Sequence, residues 1–265
     1  MILTSASPAA VLLGTTAATA YTVAAALAAR LPEKAAKTTL WLAWLVHGAA
    51  LALAMLQPAP RFGFAPALSV TAWLVLTVYA VERQLFPQLH ARWALAALGA
   101  LAVLLALLFP GRPLHVSASA WLPLHLALGI AAYGLFAAAV VHAALMTRAE
   151  KRLRQAEDPN SGMPLLTLER LTFRFVTAGF VLLSATLAAG LLFSEVLYGR
   201  AWRWDHKAVF SLLSWFTFAA LLLGRRRWGW RGRSAVRVLY AGAALLLLAY
   251  VGSRFALEVV LGRAP

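Results

Sequence analysis

No cysteine occurs among the 265 residues. That excludes a disulfide framework, a thiolate metal site, a cysteine nucleophile and any thioether link to a prosthetic group. Acids are nearly as scarce, with 9 Asp and Glu against 24 Lys and Arg, and charged residues make up only 12% of the chain. A soluble domain carries about 25%. Neither a G-x-x-x-x-G-K-[ST] phosphate loop nor an H-E-x-x-H metal helix is present, so the two most recognisable nucleotide and metalloprotease signatures are absent.

Apolar residues fill the space, at 62% of positions, and they come in runs. Residues 9–29, 38–57, 62–81, 93–111, 113–147, 175–194, 208–224 and 238–253 contain no Asp, Glu, Lys or Arg. A membrane span needs about 20 such residues, because each adds about 1.5 Å across a hydrocarbon core about 30 Å thick. The two shortest runs reach that length when flanking charges snorkel to the interface. The run 113–147 is too long for one span, and Pro113 and Pro123 break it, leaving residues 111–120 as a loop and short surface segment. The spacing predicts an all-α polytopic membrane protein of about eight transmembrane helices. They fall near 8–29, 38–57, 66–86, 91–110, 121–147, 170–197, 207–224 and 235–260, in a single membrane domain covering 1–265. The polar stretch 148–170 separates five helices from three and is too short to fold as a domain.

Orientation follows from the basic residues of the loops. Arg30, Lys34 and Lys37, then Arg83 and Arg92, then Arg148, Lys151, Arg152, Arg154 and Arg170, then Arg225, Arg226, Arg227, Arg231 and Arg233 occupy the odd loops. Only Arg61, Arg112, Arg200, Arg203 and Lys207 occupy the even ones. Odd loops are expected inside, and both termini outside. The first ten residues contain no base, which argues against a secretory signal with a positive n-region. The net charge of +15 then marks inner loops and contact with an anionic lipid bilayer, and no nucleic-acid partner is expected. The cluster RRRWGWRGR at 225–233 reads as an inner anchor with interfacial tryptophans.

One short stretch departs from this pattern. YGRAWRWDHK, residues 198–207, packs two tryptophans, two arginines, an aspartate, a histidine and a lysine into the sixth loop, which the charge rule places outside. An aromatic belt with interfacial charges accounts for part of it. However, Arg200, Arg203 and Lys207 run against the positive-inside trend, and Trp202, Trp204 and Asp205 are too close in sequence to face headgroups together. Flat indoles beside guanidinium groups suit a flat, anionic, partly apolar ligand, with rings stacked on tryptophan and carboxylates paired to arginine. Haem, with its porphyrin face and two propionates, has that shape. A paired-carboxylate hydrolase built on Glu195 and Asp205 leaves the tryptophans without a role.

These residues resemble the cytochrome c assembly proteins of the CcsA/CcmC type, which carry an outer loop of the form W-G-x-x-W-x-W-D-P-K-E followed by a helix with a further tryptophan. Here the loop reads Tyr198-Gly199-Arg200-Ala201-Trp202-Arg203-Trp204-Asp205-His206-Lys207-Ala208, and Trp215 follows. The resemblance runs from about residue 62 to the C-terminus. Compact size and the segment FGFAPALS at 62–69 are most similar to its smaller bacterial branch, the YpjD/HemX-like multi-pass inner (plasma) membrane proteins. The resemblance implies haem as cofactor, bound rather than turned over, in cytochrome c assembly or haem homeostasis. It also implies other cytochrome assembly proteins or an apocytochrome as partners. Tyr198, His206 and Ala208 replace the family's first tryptophan, its proline and its glutamate. Haem-delivering members flank the loop with two outer histidines, of which one resembles His125. The other is expected near GSRFALEVV, where this chain has none; either His206 substitutes, or iron is not held that way.

His125 and His206 are therefore the candidate iron ligands, with Arg200, Trp202, Arg203, Trp204 and Asp205 as the rest of the cofactor site. His47 lies near mid-membrane, where an ionisable group is either functional or hydrogen-bonded between helices. His142 follows His125 by seventeen residues, about 25 Å of helix, so the two cannot share one iron. His90 and His115 fall in loops, and Arg254 and Glu258 are spaced to pair. Two other classes remain open: a scaffold or regulatory protein that keeps the loop but binds partner proteins, and a proton-coupled transporter built around His47.

Overall fold

The computed structural model describes residues 8–27, 30, 32–57, 60–85, 92–113, 121–155, 164–195 and 204–261. Its helices are α1 (Pro8–Ala26), α2 (Glu33–Met55), α3 (Phe64–Leu85), α4 (Arg92–Leu108), α5 (Leu122–Arg154), α6 (Leu165–Leu192), α7 (His206–Trp228) and α8 (Gly232–Leu247). The last continues through π-helical turns at Leu248–Gly252 and Ala256–Val260, with Ser253–Phe255 between them. Among the described residues seven helices are long and apolar enough to cross a membrane, and α4 contributes the shorter apolar stretch Ala94–Leu108. The protein is an all-α, multi-pass membrane protein.

Sequence accounts for most of these boundaries. Pro8 opens α1, Pro32 and Pro164 precede α2 and α6, and Pro123 sits in the first turn of α5. Those are positions where a missing N–H costs nothing. Helix α5 outruns its uncharged run and extends to Arg154. RAEKRLR consists of good helix formers, and Glu150 pairs with Arg154 one turn on, so the polar stretch starts as helix. An antiparallel pair of two-residue strands was not foreseen: β1 (Arg61–Phe62) joins β2 (Arg112–Pro113). Gly111 makes the approach possible, since at φ 77° a Cβ there would lie 2.5 Å from the Phe62 carbonyl carbon.

Polar side chains inside the spans close on themselves. The hydroxyls of Thr16, Thr71, Thr147, Thr172 and Thr186 each donate to the carbonyl four residues earlier, so none of these five donors is stranded in hydrocarbon. Small residues line much of the interior. Ala17, Ala43, Ala65, Ala96, Ala132 and Ala139 are fully buried, while Leu12, Leu166, Leu192 and Phe216 face outward. With lipid as apolar as leucine, close backbone approach drives this packing.

The chain divides into two compact units. The first comprises residues 1–85, 90–115 and 254–265, hence α1–α4, the strand pair and the end of the last helix. Gly14 faces Leu107 and Gly99 faces the Tyr21 ring, which sets α1 antiparallel to α4. Trp44 and Trp73 stack at 5.1 Å, and Trp73 Nε1 donates to the Trp44 carbonyl at 3.0 Å, joining α2 to α3. At the C-terminal end of the last helix Arg254 and Glu258 pair at 3.7 Å, as their spacing predicted. The second unit, residues 86–89 and 116–253, is built on α5–α8.

Candidate functional site

Six contacts fix the register of the second unit. Glu169, early in α6, accepts from Arg225, late in α7, at 2.6 Å. Midway, Trp215 Nε1 donates to Ser184 Oγ at 2.8 Å and its indole stacks on Phe180, so α6 and α7 are antiparallel. Tyr133 donates to the Leu246 carbonyl and Glu150 meets Arg233 at 4.0 Å, which makes α5 antiparallel to α8. Ser214 donates to the Gly242 carbonyl, and the Gly224 backbone lies against Trp230, so α7 and α8 are antiparallel too. Helices α5 and α7 therefore run parallel, and their N-termini share one end of the unit.

That end holds the described candidate residues. Phe136 and Phe218 stack with centroids 3.8 Å apart and give a common reference level. His125 precedes Phe136 by eleven residues, about 17 Å of rise; His206 precedes Phe218 by twelve, about 18 Å. The two imidazoles thus start from the same level of the bundle. Arg200, Trp202 and Arg203 lie outside the described residues, as do His90 and His115.

At the start of α7 each motif residue has its own task. Asp205 has extended backbone (φ −91°, ψ 170°) and its Oδ1 accepts the Ala208 N–H at 2.9 Å, an N-cap. The carboxylate thereby fixes where the loop becomes helix. His206 occupies the first helical position and is exposed. Proline is favoured there in general, which gives the family's Asp-Pro a local reason; histidine keeps the helix start and adds an imidazole. Trp204 leaves the cap 73% exposed.

At the start of α5, His125 is half-buried, and its N–H bonds the Trp121 carbonyl at 3.0 Å. Trp121 itself is 64% exposed and lies one turn above His125 on the same helical face. It was not singled out from sequence, although the i, i+4 spacing to His125 was the available signal. Trp215, the further tryptophan of the motif, is instead spent on holding α7 to α6.

The other two described histidines, His47 and His142, are engaged in packing. His47 is 1% exposed; its Nε2 lies 2.8 Å from Ser69 Oγ and its Nδ1 3.4 Å from the Tyr21 hydroxyl. Both ring nitrogens thus have partners, which joins α1, α2 and α3 inside the first unit. His142 is buried with Nδ1 bonded to the Ala138 carbonyl at 2.8 Å and its ring beside Phe175. Among the described residues no group of three or more His, Asp or Glu could hold a bare metal ion. A metal at this end would need a ligand set of its own, with the protein supplying one or two imidazoles.

The family model described as cytochrome C assembly protein matches residues 10–261, reaching well before the segment that carried the resemblance. The inner membrane protein YpjD of Escherichia coli K12 is 33% identical over 148 residues, 55% of this chain and 56% of that protein. The cytochrome c biogenesis protein CcsA of Prochlorococcus marinus MIT 9303 is 33% identical over 113 residues, 40% of this chain and 36% of the relative. CcsA of Gloeobacter violaceus is 35% identical over 89 residues, 34% and 26% of the two chains. The match thus spans about half of the first relative's length and less of the other two.

Proposed function

We propose, from the premise that this chain belongs to the cytochrome C assembly protein family, that it binds haem at the outer end of its second unit and handles it for cytochrome c assembly or haem homeostasis. The membrane is the bacterial inner membrane, a reading supported by the name of the YpjD relative. The observation that carries the proposal is the shared level of His125 and His206, with Trp204 exposed beside the second.

The residues present fit the group. Bound haem supplies an iron that takes axial imidazole and a flat apolar face edged by two carboxylates. His125, half-buried at the start of a long rigid helix, is the leading axial ligand, because a neutral imidazole there is held in place by packing. His206 lies at the same end with its ring in solvent and is the candidate for the second position. Trp204 offers a face for stacking, joined in the loop by Trp202, while Arg200 and Arg203 are the cations suited to propionates. Asp205 acts on the site by capping α7, which sets the exit direction of Trp204. The chain binds and presents; no residue of the site is assigned turnover chemistry, and an apocytochrome or another assembly protein is the proposed recipient.

Protein purified in mild detergent from haem-replete cells should carry a Soret band. Failure to show one, both as purified and after haem is added, would remove haem from the reading and leave a membrane scaffold.

A further inference from the structure

The opposite end of the second unit carries a feature that haem binding does not use. On α8, residues 233, 237, 240, 241, 244, 247 and 248 are all exposed, one continuous helical stripe. Its first two turns are basic and aromatic, Arg233, Arg237 and Tyr240. The remainder is smooth and apolar, from Ala241 and Ala244 to Leu248. The stripe borders α5: Arg233 meets Glu150 at 4.0 Å, and Arg148 lies close enough to the Tyr240 phenol to act on it electrostatically. Arg237 sits between those two contacts along the same seam.

Charge bookkeeping singles out the deeper layer. Glu150 is shared between Arg154 and Arg233, and Glu169 between Arg225 and Arg231. Among the described residues no carboxylate pairs with Arg148 or Arg237. Arg237 is one turn deeper than Arg233, about 6 Å, inside the apolar span Gly232–Val260. A guanidinium on an outward face at that depth is costly unless it reaches an anion. Two of them with a phenol hydroxyl make a fork for a phosphodiester, and the alanine track beyond has room for an acyl chain.

We infer that the seam between α5 and α8 is a binding site for an anionic phospholipid of the inner leaflet, with Arg148 and Arg237 on the phosphate, Tyr240 donating to a headgroup oxygen, and one acyl chain along Ala241, Ala244 and Leu248. The lengthwise order, basic then smooth and apolar, matches the order of a lipid and not that of a soluble phosphate ester.

The test is lipid retention. Wild type, Arg148→Gln/Arg237→Gln and the charge-matched control Arg226→Gln/Arg227→Gln are purified from mixed micelles holding equal phosphatidylglycerol and phosphatidylcholine, and retained lipid is measured by mass spectrometry. Wild type and control should keep phosphatidylglycerol in excess, and the Arg148/Arg237 variant should lose that excess. Equal retention by the variant and wild type overturns the site, as does an equal loss in the control, which would reduce the effect to net charge. Should the double variant not purify, Arg237→Gln and Tyr240→Phe carry the same test singly. Each must lower retention, and unchanged retention in either overturns the site. None of these residues lies near the outer end, so the result is independent of haem.

Discussion

Phe136 and Phe218 lie face to face, their planes 7° apart, and each is backed by a glycine of a third helix. Gly179 of α6 lies against Phe136, and Gly242 of α8 against Phe218, where an added Cβ would come within 2.8 Å of the ring. One stack therefore joins all four helices of the second unit. Phe218→Ala should cost about 3 kcal/mol or more, and Gly242→Leu should destabilise at least as strongly through overlap. Thermal unfolding in detergent measures both, and an unchanged midpoint for Gly242→Leu would mean that the helices do not approach this closely.

The orientation drawn from loop charges is open to direct labelling, because the chain contains no cysteine. Ala201→Cys should react with an impermeant maleimide in intact spheroplasts, and Ser161→Cys should not. The reverse pattern would move the tryptophan loop inside and sink the outer-face proposal with it.

Stacking on the loop is tested by Trp202→Ala/Trp204→Ala. Losing two rings should remove about 1 kcal/mol or more per ring of ligand contact, seen as reduced haem on the purified protein. Unchanged occupancy would exclude the loop as the site.

His125→Ala should weaken haem retention or shift the Soret maximum, while His142→Ala and His90→Ala leave the spectrum alone. His142 is already committed to the Ala138 carbonyl. His206→Ala should matter less than His125→Ala unless it supplies the second ligand, in which case the two shifts become comparable. Four spectra identical to that of a haem-bearing wild type would return His125 to a purely structural role.

Asp205 separates capping from ligand contact. Asparagine caps nearly as well as aspartate, whereas alanine costs about 1 kcal/mol. If the carboxylate serves by starting α7, Asp205→Asn should retain haem and Asp205→Ala should lower both retention and melting temperature. Equal loss in the two would show that the charge itself meets the ligand.

The helices were legible because a membrane span writes itself in uncharged runs, and the ends of α1, α2 and α7 fall within a few residues of those runs. What stayed hidden depends on partners distant in sequence. His47 is bonded to Tyr21 and Ser69, which lie on other helices; nothing in the spacing distinguishes that arrangement from an open ionisable group. The strand pair of 61–62 with 112–113 is too short for any alternation to show. The register that sets His125 level with His206 arises from Phe136, Phe218, Gly179 and Gly242 together, each unremarked in an apolar run. Asp205 is visible as a motif residue, but its cap on α7 depends on an extended backbone at 205 that the motif does not specify.

The two ends of the second unit differ in what ties them. At the arginine-rich end Glu169 holds Arg225 at 2.6 Å, Arg225 also covers the Phe173 ring at 3.6 Å, and Gly229 at φ 64° turns the chain so that Trp230 closes on Gly224. At the other end the start of α7 is fastened by the Asp205 cap, and Trp121 and Trp204 are largely exposed to solvent. Amides in the first turns of α5 and α7 should exchange with deuterium well before those around Glu169 and Arg225, since local opening follows local packing. Under the proposed haem site, such local opening would give a flat ligand a way in without global unfolding.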